Sequence, residues 1–311
     1  MVAIGGNALI REGEEGTIAQ QMANARAIAA QVVGLLQGGL RVVVTHGNGP
    51  QVGFIMLRSE LVDPRAPVPR LTLDMCVADS EGGLGYILAN ALAGELRRHG
   101  FGDRAVCVLT HTVVDADDPA FGRPTKPIGP FFTAAEAEQH RRLHGWTLIE
   151  DSGRGYRRLV PSPRPRRIVE QAAIARLVEA EFVVVAAGGG GIAVVEEGDG
   201  RLRGVEAVVD KDYASALLAA AIGIPLLIIS TGIERIAIHF RRPDERFLDR
   251  MTAAEARRYL EAGEFPEGSM GPKVRAALEF LDAGGEEVIV ASPWRLADAV
   301  AGSTGTRIVR S

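Results

Sequence analysis

Lysine is scarce in this chain of 311 residues. Lysine and arginine together number 35, yet lysine occurs only at Lys126, Lys211 and Lys273. Each of the three stands in a turn-rich segment, flanked by glycine, proline or aspartate. A compact ammonium on a flexible stem performs tasks for which the broad guanidinium fork of arginine is a poor substitute. Chance would not be expected to retain lysine in three such loops, so we expect each lysine to have a specific task.

Cysteine and long apolar runs are also scarce, which argues against two further classes of protein. Cys76 and Cys107 have apolar neighbours, which predicts buried free thiols instead of a disulfide framework. The longest uncharged run, residues 214–230, contains Gly223 and Pro225 and predicts a helix end, a turn and a strand, not a membrane span. No secretory signal pattern precedes the first strand, and the net charge of −4 argues against nucleic acid as a partner. We therefore expect a cytoplasmic protein without a membrane partner.

Apolar strand patterns and helical patterns alternate along the chain. The predicted strands are 2–4, 40–45, 105–110, 182–187, 225–230, 287–291 and 306–309, with a further candidate at 236–240. The predicted helices are 17–37, 51–62, 73–99 with an interruption near Gly82-Gly83, 133–144, 167–180, one from about 214, 252–262, 273–283 and 294–301. This alternation predicts an α/β fold with a mostly parallel open sheet and helices on both faces.

Residues 120–167 interrupt this alternation. They are rich in proline and longer than a crossover between parallel strands requires, and Lys126 lies at their start. Long excursions of this kind are often lids or binding loops. His140 and His144 have the spacing of two metal ligands, but no HExxH pattern accompanies them, so we interpret them as a solvated helix face. We predict no metal ligand from the protein.

Glycine-rich segments follow several predicted strands. They are Gly5-Gly6-Asn7, Gly47-Asn48-Gly49 and Gly188–Gly191, and the last is followed by Asp210-Lys211-Asp212. Glycine lets backbone N–H groups approach a ligand closely, and such loops at the carboxyl ends of strands form the ligand crevice of open α/β sheets. We expect Asp212 to cap the next helix and Lys211 to face an anion there. Three converging ammonium groups would suit transfer of a phosphoryl group.

Five motifs together carry a family resemblance. AIGGNAL, THGNGPQVG, TKPIGP, the GGGG–DKDYAS block and GSMGPK occur in this order and span nearly the whole chain. The chain resembles the carbamate kinases, members of the amino-acid kinase superfamily. The resemblance implies a three-layer α/β/α sandwich, a homodimer, and phosphoryl transfer between carbamoyl phosphate and ADP, with Mg²⁺ bound to ATP or ADP. It also implies an acceptor side in the N-terminal half, a nucleotide side over about 182–311, and a protruding subdomain over about 120–167.

The resemblance assigns roles to residues that match the family motifs. The catalytic candidates are Lys126, Lys211, Asp212 and Lys273, with Asp212 orienting the lysines. The candidates for binding the acceptor and the phosphoryl group are Gly5, Gly6, Asn7, Gly47, Asn48, Gly49, Gly189 and Gly190. The candidates for nucleotide binding are Asp210, Ser230, Thr231, Gly232, Met270 and Gly271.

The chain departs from the family pattern at three places. Glu81 stands where the family more often has glutamine, and it adds a negative charge on a helix that faces either the acceptor side or a dimer partner. Glu234-Arg235 and Arg241-Arg242 replace the more usual residues in the nucleotide half. Two other functions compete with carbamate kinase: a superfamily kinase for another small acid, and a non-catalytic sensor of carbamoyl phosphate or nucleotide. TKPIGP and the insertion argue against the first, and the presence of all three lysines argues against the second.

Overall fold

A computed structural model describes residues 1–11, 13–63, 65–151 and 153–311. Within these ranges it describes every side chain except that of Asn7. The α-helices of these ranges are α1 (Ile18–Gln37), α2 (Gly49–Glu60), α3 (Leu73–Arg98), α4 (Ala134–His144), α5 (Gln171–Glu179), α6 (Lys211–Ala221), α7 (Ala253–Glu261), α8 (Met270–Asp282) and α9 (Leu296–Ala301). None of these described helices combines the length and the apolar character needed to cross a membrane.

Strands occur along the whole chain and form one large sheet and three smaller ones. The strands are β1 (Val2–Ile4), β2 (Val43–His46), β3 (Ala105–Cys107), β4 (His111–Val114), β5 (Lys126–Phe132), β6 (Leu148–Glu150), β7 (Tyr156–Val160), β8 (Pro165–Ile168), β9 (Val183–Val185), β10 (Ile192–Glu196), β11 (Leu202–Gly204), β12 (Leu226–Ser230), β13 (Ile236–Ile238), β14 (Arg246–Leu248), β15 (Arg250–Thr252), β16 (Glu287–Ala291) and β17 (Thr306–Val309). Short 3-10 turns cover Gly6–Ala8, Pro119–Gly122 and Gly188–Gly190.

The large sheet has the strand order β15-β17-β16-β12-β1-β2-β9-β3. The six strands from β16 to β3 are parallel, while β17 runs antiparallel to β16 and pairs in parallel with β15. The parallel strands are short and apolar because both faces of the sheet are covered. The predicted three-layer α/β/α fold with a mostly parallel sheet is confirmed.

Two apolar cores lie on the two faces of this sheet. One face packs against α5, α6, α7 and α8, with Phe280 among its fully buried side chains. The other face packs against α1, α3 and α9 and buries Ile28, Leu88 and Leu92. The carboxyl ends of the parallel strands β1, β2, β9 and β12 lie at one edge of the sheet, and the loops that follow these strands meet there.

Residues of the proline-rich insertion form a small antiparallel sheet with the order β5-β7-β6, which packs with α4. Trp146 and Leu148 bury the inner face of α4 at Ala137. The ring of His140 stacks on Trp146 with centroids 4.3 Å apart, and His144 lies 5.2 Å from Trp146. The interpretation of the two histidines as a solvated face is therefore wrong for His140, which packs in an aromatic cluster.

Several predicted boundaries differ from the structure. Helix α3 is continuous through Gly82 and Gly83, because packing along its buried face outweighs the low helix propensity of glycine. Helix α6 begins at Lys211 instead of about Ala214. Strands β2 and β3 are shorter than the predicted 40–45 and 105–110, and the candidate strand 236–240 pairs with β14 outside the large sheet. The predicted capping box of α7, Thr252 with Glu255, is confirmed.

Candidate active site

An open cavity of about 880 Å³ lies at the carboxyl ends of the central parallel strands. Most of the predicted site residues line it: Gly5, Gly6, Gly47, Asn48, Gly49, Lys126, Gly189, Asp210, Lys211, Asp212, Ser230, Thr231, Gly232 and Lys273. All three lysines of the chain therefore reach one cavity, although the sequence separates them by more than 60 residues at each step. Convergence of the only ammonium side chains is the main geometric feature of the site.

Asp212 is the carboxylate that holds two of these lysines. Its Oδ1 pairs with the Nζ of Lys211, and its Oδ2 accepts from the Nζ of Lys273 at 2.9 Å. Asp212 and Lys211 are buried in the first turn of α6, and Lys273 lies in the first turn of α8. Two helix N-termini thus deliver two cations to one carboxylate at the cavity wall. Both ends carry partial positive charge, so the site is electrostatically prepared for an anion.

In this cluster, burial shifts the pKa of each charged group in one direction, and ion pairing shifts it in the other. Burial alone would raise the pKa of Asp212, but the charges of Lys211 and Lys273 lower it well below its usual range. Burial lowers the pKa of Lys211 despite the opposing effect of Asp212. Burial would also lower the pKa of Lys273, but Asp212 outweighs it and the net shift is upward. Asp212 therefore stays ionised at neutral pH and keeps the two lysines in place.

Lys126 enters the same cavity from β5 of the small sheet. Its Nζ donates to Oδ2 of Asp210 at 2.5 Å, and both side chains are about one-fifth exposed. Burial would raise the pKa of Asp210, but Lys126 lowers it overall. Asp210 also accepts a hydrogen bond from the backbone N–H of Asp212, so it is the N-cap of α6. The prediction that Asp212 caps this helix is wrong, because Asp212 is occupied by two lysines.

The glycine-rich loops approach one another closely beside these charges. The N–H of Gly47 donates to the carbonyl of Ile4 at 2.8 Å, which joins the loops after β1 and β2. The N–H of Gly5 donates to Oγ of Ser230 at 3.3 Å. Gly189 has a φ of +67°, and a Cβ there would lie 2.1 Å from Nδ2 of Asn48. Only glycine fits this position, so the third loop can close against the second.

Helix α2 connects the central loops to the small sheet. It begins at Gly49 beside the cavity, and a Cβ on Gly53 one turn later would lie 2.0 Å from the Cα of Gly129 in β5. The backbones of α2 and β5 are therefore in direct contact, with no space for a methyl group. Since Lys126 lies three residues before Gly129, this contact determines where Lys126 enters the cavity.

Some predicted residues do not line the cavity. Gly190 lies behind the loop, where its carbonyl accepts from Oγ1 of Thr112 at 2.7 Å. Met270 is buried in the core and Gly271 packs near Phe265. Both lie in the first turn of α8 together with Lys273, so they position Lys273 without lining the cavity. The side chain of Asn7 lies outside the part of the chain that the structure describes.

Sequence reasoning missed other residues that line the cavity. They include Arg11, Glu14, Phe54, Phe131, Arg154, Arg157, Val209 and Trp294. Arg11 stacks on Trp294, 3.9 Å from its ring centroid. Several of them lie in charged or glycine-containing segments, such as Arg11 and Glu14 in REGEEG, but only the fold shows that these segments reach the site.

With this geometry established, comparison with known proteins identifies the family. The profile of the amino acid kinase family matches residues 1–292. The chain belongs to the amino acid kinase family. This agrees with the order and spacing of the five motifs and with the central sheet.

Members of the amino acid kinase family with high similarity include several named carbamate kinases. The carbamate kinase of Thermococcus kodakarensis is 44% identical over 311 residues, covering 100% of this chain and 98% of that protein. The carbamate kinase-like protein YahI of Escherichia coli is 46% identical over 312 residues, with 100% and 98% covered. The structure of the Giardia lamblia carbamate kinase bound to AMP-PNP is 38% identical, with a TM-score of 0.89 over 99% of this chain and 97% of that one. The predicted resemblance to carbamate kinases is confirmed.

Glu81, a departure from the family pattern, lies directly beneath the glycine loop. Its Oε1 accepts from the N–H of Gly188 at 2.9 Å, and its Oε2 is buried with no hydrogen-bond partner among the described residues. Burial raises the pKa of Glu81 to about 8. A protonated Glu81 therefore performs the acceptor role that a glutamine carbonyl would have. The other departures, Glu234-Arg235 and Arg241-Arg242, do not line the cavity.

His46 lies against the same glycine. A Cβ on Gly188 would lie 2.4 Å from Nε2 of His46 and 2.9 Å from Cγ of Glu81. Burial lowers the pKa of His46 to about 4, so the ring is neutral. Its Nδ1 lies 3.3 Å from the carbonyl of Gly47, which only accepts, so Nδ1 carries the proton. The floor of the site is thus uncharged at neutral pH, and its positive charge comes from the cavity wall.

Proposed function

We propose that this protein is a carbamate kinase, which transfers a phosphoryl group between carbamoyl phosphate and ADP. The observation that carries the proposal is the convergence of Lys126, Lys211 and Lys273 on one cavity beside glycine-rich loops and two helix N-termini. Phosphoryl transfer depends on positioning and on stabilising charge over the equatorial oxygens, and it requires little covalent help. The named carbamate kinases among the relatives support this choice of acceptor.

The proposed reaction is a direct displacement at phosphorus. An oxygen of the β-phosphate of ADP attacks, a new P–O bond forms, and the P–O bond to the carbamoyl group breaks. The bonding pair leaves with carbamate, and no general base is needed because the attacking phosphate oxygen is already an anion. Lys211 and Lys273 neutralise the moving phosphoryl oxygens, and Asp212 holds both ammonium groups in place. Gly6 and Gly49 provide backbone amides on the acceptor side, while the N–H groups of Gly5 and Gly47 join the loops through Ser230 and Ile4.

The proposed nucleotide side lies in the C-terminal half, about 182–311, where Asp210, Ser230, Thr231 and Gly232 line the cavity. We propose that Mg²⁺ arrives with the nucleotide phosphates. The carboxylates of Asp210 and Asp212 are each engaged by lysine, which leaves them poorly placed as metal ligands. In the described residues no group of three or more metal-ligating side chains is present. We further propose that residues 120–167 act as an inserted subdomain and that the enzyme is cytoplasmic, where Cys76 and Cys107 stay reduced.

We also propose a homodimer formed through the outer face of α3. Met75 and Tyr86 are exposed there, and Gly82 and Gly83 between them would place a Cβ in open space. Two glycines inside an exposed helix weaken it, and a close approach of another backbone would offset that cost. Light scattering during size exclusion tests the proposal: the wild type should be a dimer and Gly83→Arg a monomer. A monomeric wild type would exclude this dimer.

A substrate panel tests the proposed reaction. Purified protein, ADP and Mg²⁺ are mixed separately with carbamoyl phosphate, acetyl phosphate and N-acetylglutamyl phosphate, and ATP is measured. We expect rapid ATP formation only with carbamoyl phosphate. ATP formation mainly from another acyl phosphate would replace the proposed acceptor by that acid. Binding of carbamoyl phosphate and ADP with no ATP formed from any donor would instead favour the sensor function.

A further inference from the structure

Arg157 is a buried cation with one unengaged nitrogen. It lies on β7 of the small sheet, and its side chain is 12% exposed. Its Nε donates to the carbonyl of Gly129 at 3.2 Å, and its Nη1 pairs with Asp151 at 3.4 Å. Its Nη2 is buried and has no hydrogen-bond partner among the described residues. A guanidinium keeps its charge when buried, so an unengaged donor here is costly unless a ligand uses it.

Arg157 lines the same cavity as Lys126 and Lys211, so the side chain that carries the unengaged nitrogen belongs to the wall of the site described above. A Cβ built on Gly49, the first residue of α2, would lie only 3.7 Å from Nη2 of Arg157. The donor therefore sits beside the N-terminus of α2, which carries partial positive charge of its own. An anion placed between them would interact favourably with both.

The other contacts of Arg157 fix the direction of this donor. Phe131 covers the guanidinium, with its ring centroid 5.3 Å from Cζ. The bonds to Gly129 and Asp151 use two of the three nitrogens, which leaves Nη2 without a partner beside Gly49. A lysine could not make these bonds and still present a donor in the same place, because it lacks the fork. The arginine is thus oriented before a ligand arrives.

We propose that Arg157 binds carbamoyl phosphate, with Nη2 donating to an oxygen of this small acyl phosphate at the N-terminus of α2. This inference rests on the proposed function and extends it, since it adds a specificity-determining cation to the three lysines. Arg157 reaches the acceptor side, with Lys126 on neighbouring β5, and not the side lined by Ser230 to Gly232. Arg157 therefore favours binding of the acyl phosphate and contributes little to binding of ADP.

Steady-state kinetics of Arg157→Gln, Arg157→Lys and Arg158→Gln test this assignment. Arg158 is the matched control, because it is the next residue on β7 and its side chain is also mostly buried, but it pairs with Glu60 and does not line the cavity. Arg157→Gln should raise KM for carbamoyl phosphate by about 10- to 100-fold, the effect of losing a hydrogen bond to a charged group. Its KM for ADP should stay within about threefold, and Arg158→Gln should change either value by no more than that.

Calorimetric titration of carbamoyl phosphate without ADP provides a readout that does not depend on turnover. Binding should be lost in Arg157→Gln, weakened in Arg157→Lys and retained in Arg158→Gln. If the wild type forms ATP but the Arg157 variants keep their KM for carbamoyl phosphate, the assignment is overturned while the carbamate kinase proposal stands. If the wild type neither binds nor uses carbamoyl phosphate, both fail. If Arg157→Gln does not fold, Arg157→Lys decides, and an unchanged KM in that variant overturns the assignment.

Discussion

The cations of the central layer and those of the small sheet are held in different ways. Lys211 and Lys273 share the buried carboxylate of Asp212, which is compensated on both oxygens. Lys126 has only the partly exposed Asp210, and Arg157 keeps one nitrogen unengaged. The first pair is therefore fixed before any ligand arrives, while the second pair has capacity left for a ligand.

This difference indicates a division of work. Fixed charges lower a barrier most effectively when they need no reorganisation during the reaction, as expected for groups around a moving phosphoryl. Incompletely paired charges suit recognition, because the ligand supplies the missing partner. The two regions meet at the backbone contact between Gly53 of α2 and Gly129 of β5.

The largest effect is expected from Asp212→Asn. The change leaves two lysines without their carboxylate, and removing one partner from a buried ionic cluster costs about 3–5 kcal/mol. We expect denaturant unfolding to show this loss and kcat to fall by about 10³-fold, since both ammonium groups lose their position.

Asp210→Asn is the matched control for Asp212→Asn. Asp210 pairs with only one lysine, and asparagine can still cap α6, so the free energy of unfolding should fall by less than in Asp212→Asn. Equal destabilisation by the two variants would contradict the contrast between the regions.

The stabilisation of the fold by Asp212 also depends on pH. The pKa of Asp212 is lowered in the folded state, so its contribution to the free energy of unfolding is complete above the ordinary aspartate pKa and is lost as the pH falls below that value.

A smaller effect is expected from Gly53→Ala, which alters the junction. The added methyl would lie 2.0 Å from the Cα of Gly129, so β5 must move away and carry Lys126 with it. We expect kcat/KM for carbamoyl phosphate to fall by about 10²-fold, as for a displaced positioning group. Gly94→Ala on exposed α3 adds the same methyl where nothing lies within 4 Å, and it should leave kcat/KM unchanged. Full activity of Gly53→Ala would show that the junction does not position Lys126.

The smallest effect on catalysis is expected from Glu81→Gln, which alters the floor of the central region without touching its cations. The pKa of Glu81 is raised from 4.5 to about 8, so the folded state holds a proton that the unfolded state releases between these values. The free energy of unfolding of the wild type should therefore fall as pH rises through this window. Glu81→Gln removes that slope and should be about 2–4 kcal/mol more stable at pH 8, with little difference below pH 4.5. Parallel pH profiles for the two proteins would show that Glu81 is ionised throughout.

Much of the fold could be predicted from the sequence, because its signals are local. Continuous apolar strands, helical periodicity and the Thr252–Glu255 capping box all depend on nearby residues. The errors arise where tertiary contacts decide. Gly82 and Gly83 do not interrupt α3, because the helix is held along its buried face. Asp210 and Asp212 could each cap α6, and the pairing of Asp212 with both Lys211 and the distant Lys273 leaves Asp210 as the cap.

The candidate site was predictable where residue types were unusual. Three lysines in an arginine-rich chain marked the cations, and glycine runs marked the loops. Arg157 carried no such signal, because one arginine among many is ordinary, and Glu81 stood out only as a departure from the family pattern. Their importance arises from burial and from contacts with Gly129 and Gly188, which lie far away in sequence from Arg157 and Glu81 respectively.

The most direct test of the division of work is a side-by-side kinetic comparison of Lys211→Arg and Lys126→Arg, with kcat and both Michaelis constants measured. Both variants keep the charge and lose the compact ammonium. The account predicts that Lys211→Arg loses about 10³-fold in kcat with nearly unchanged Michaelis constants. It predicts that Lys126→Arg mainly raises KM for carbamoyl phosphate and leaves KM for ADP unchanged. The same kinetic profile in both variants, or wild-type activity in Lys211→Arg, would contradict it.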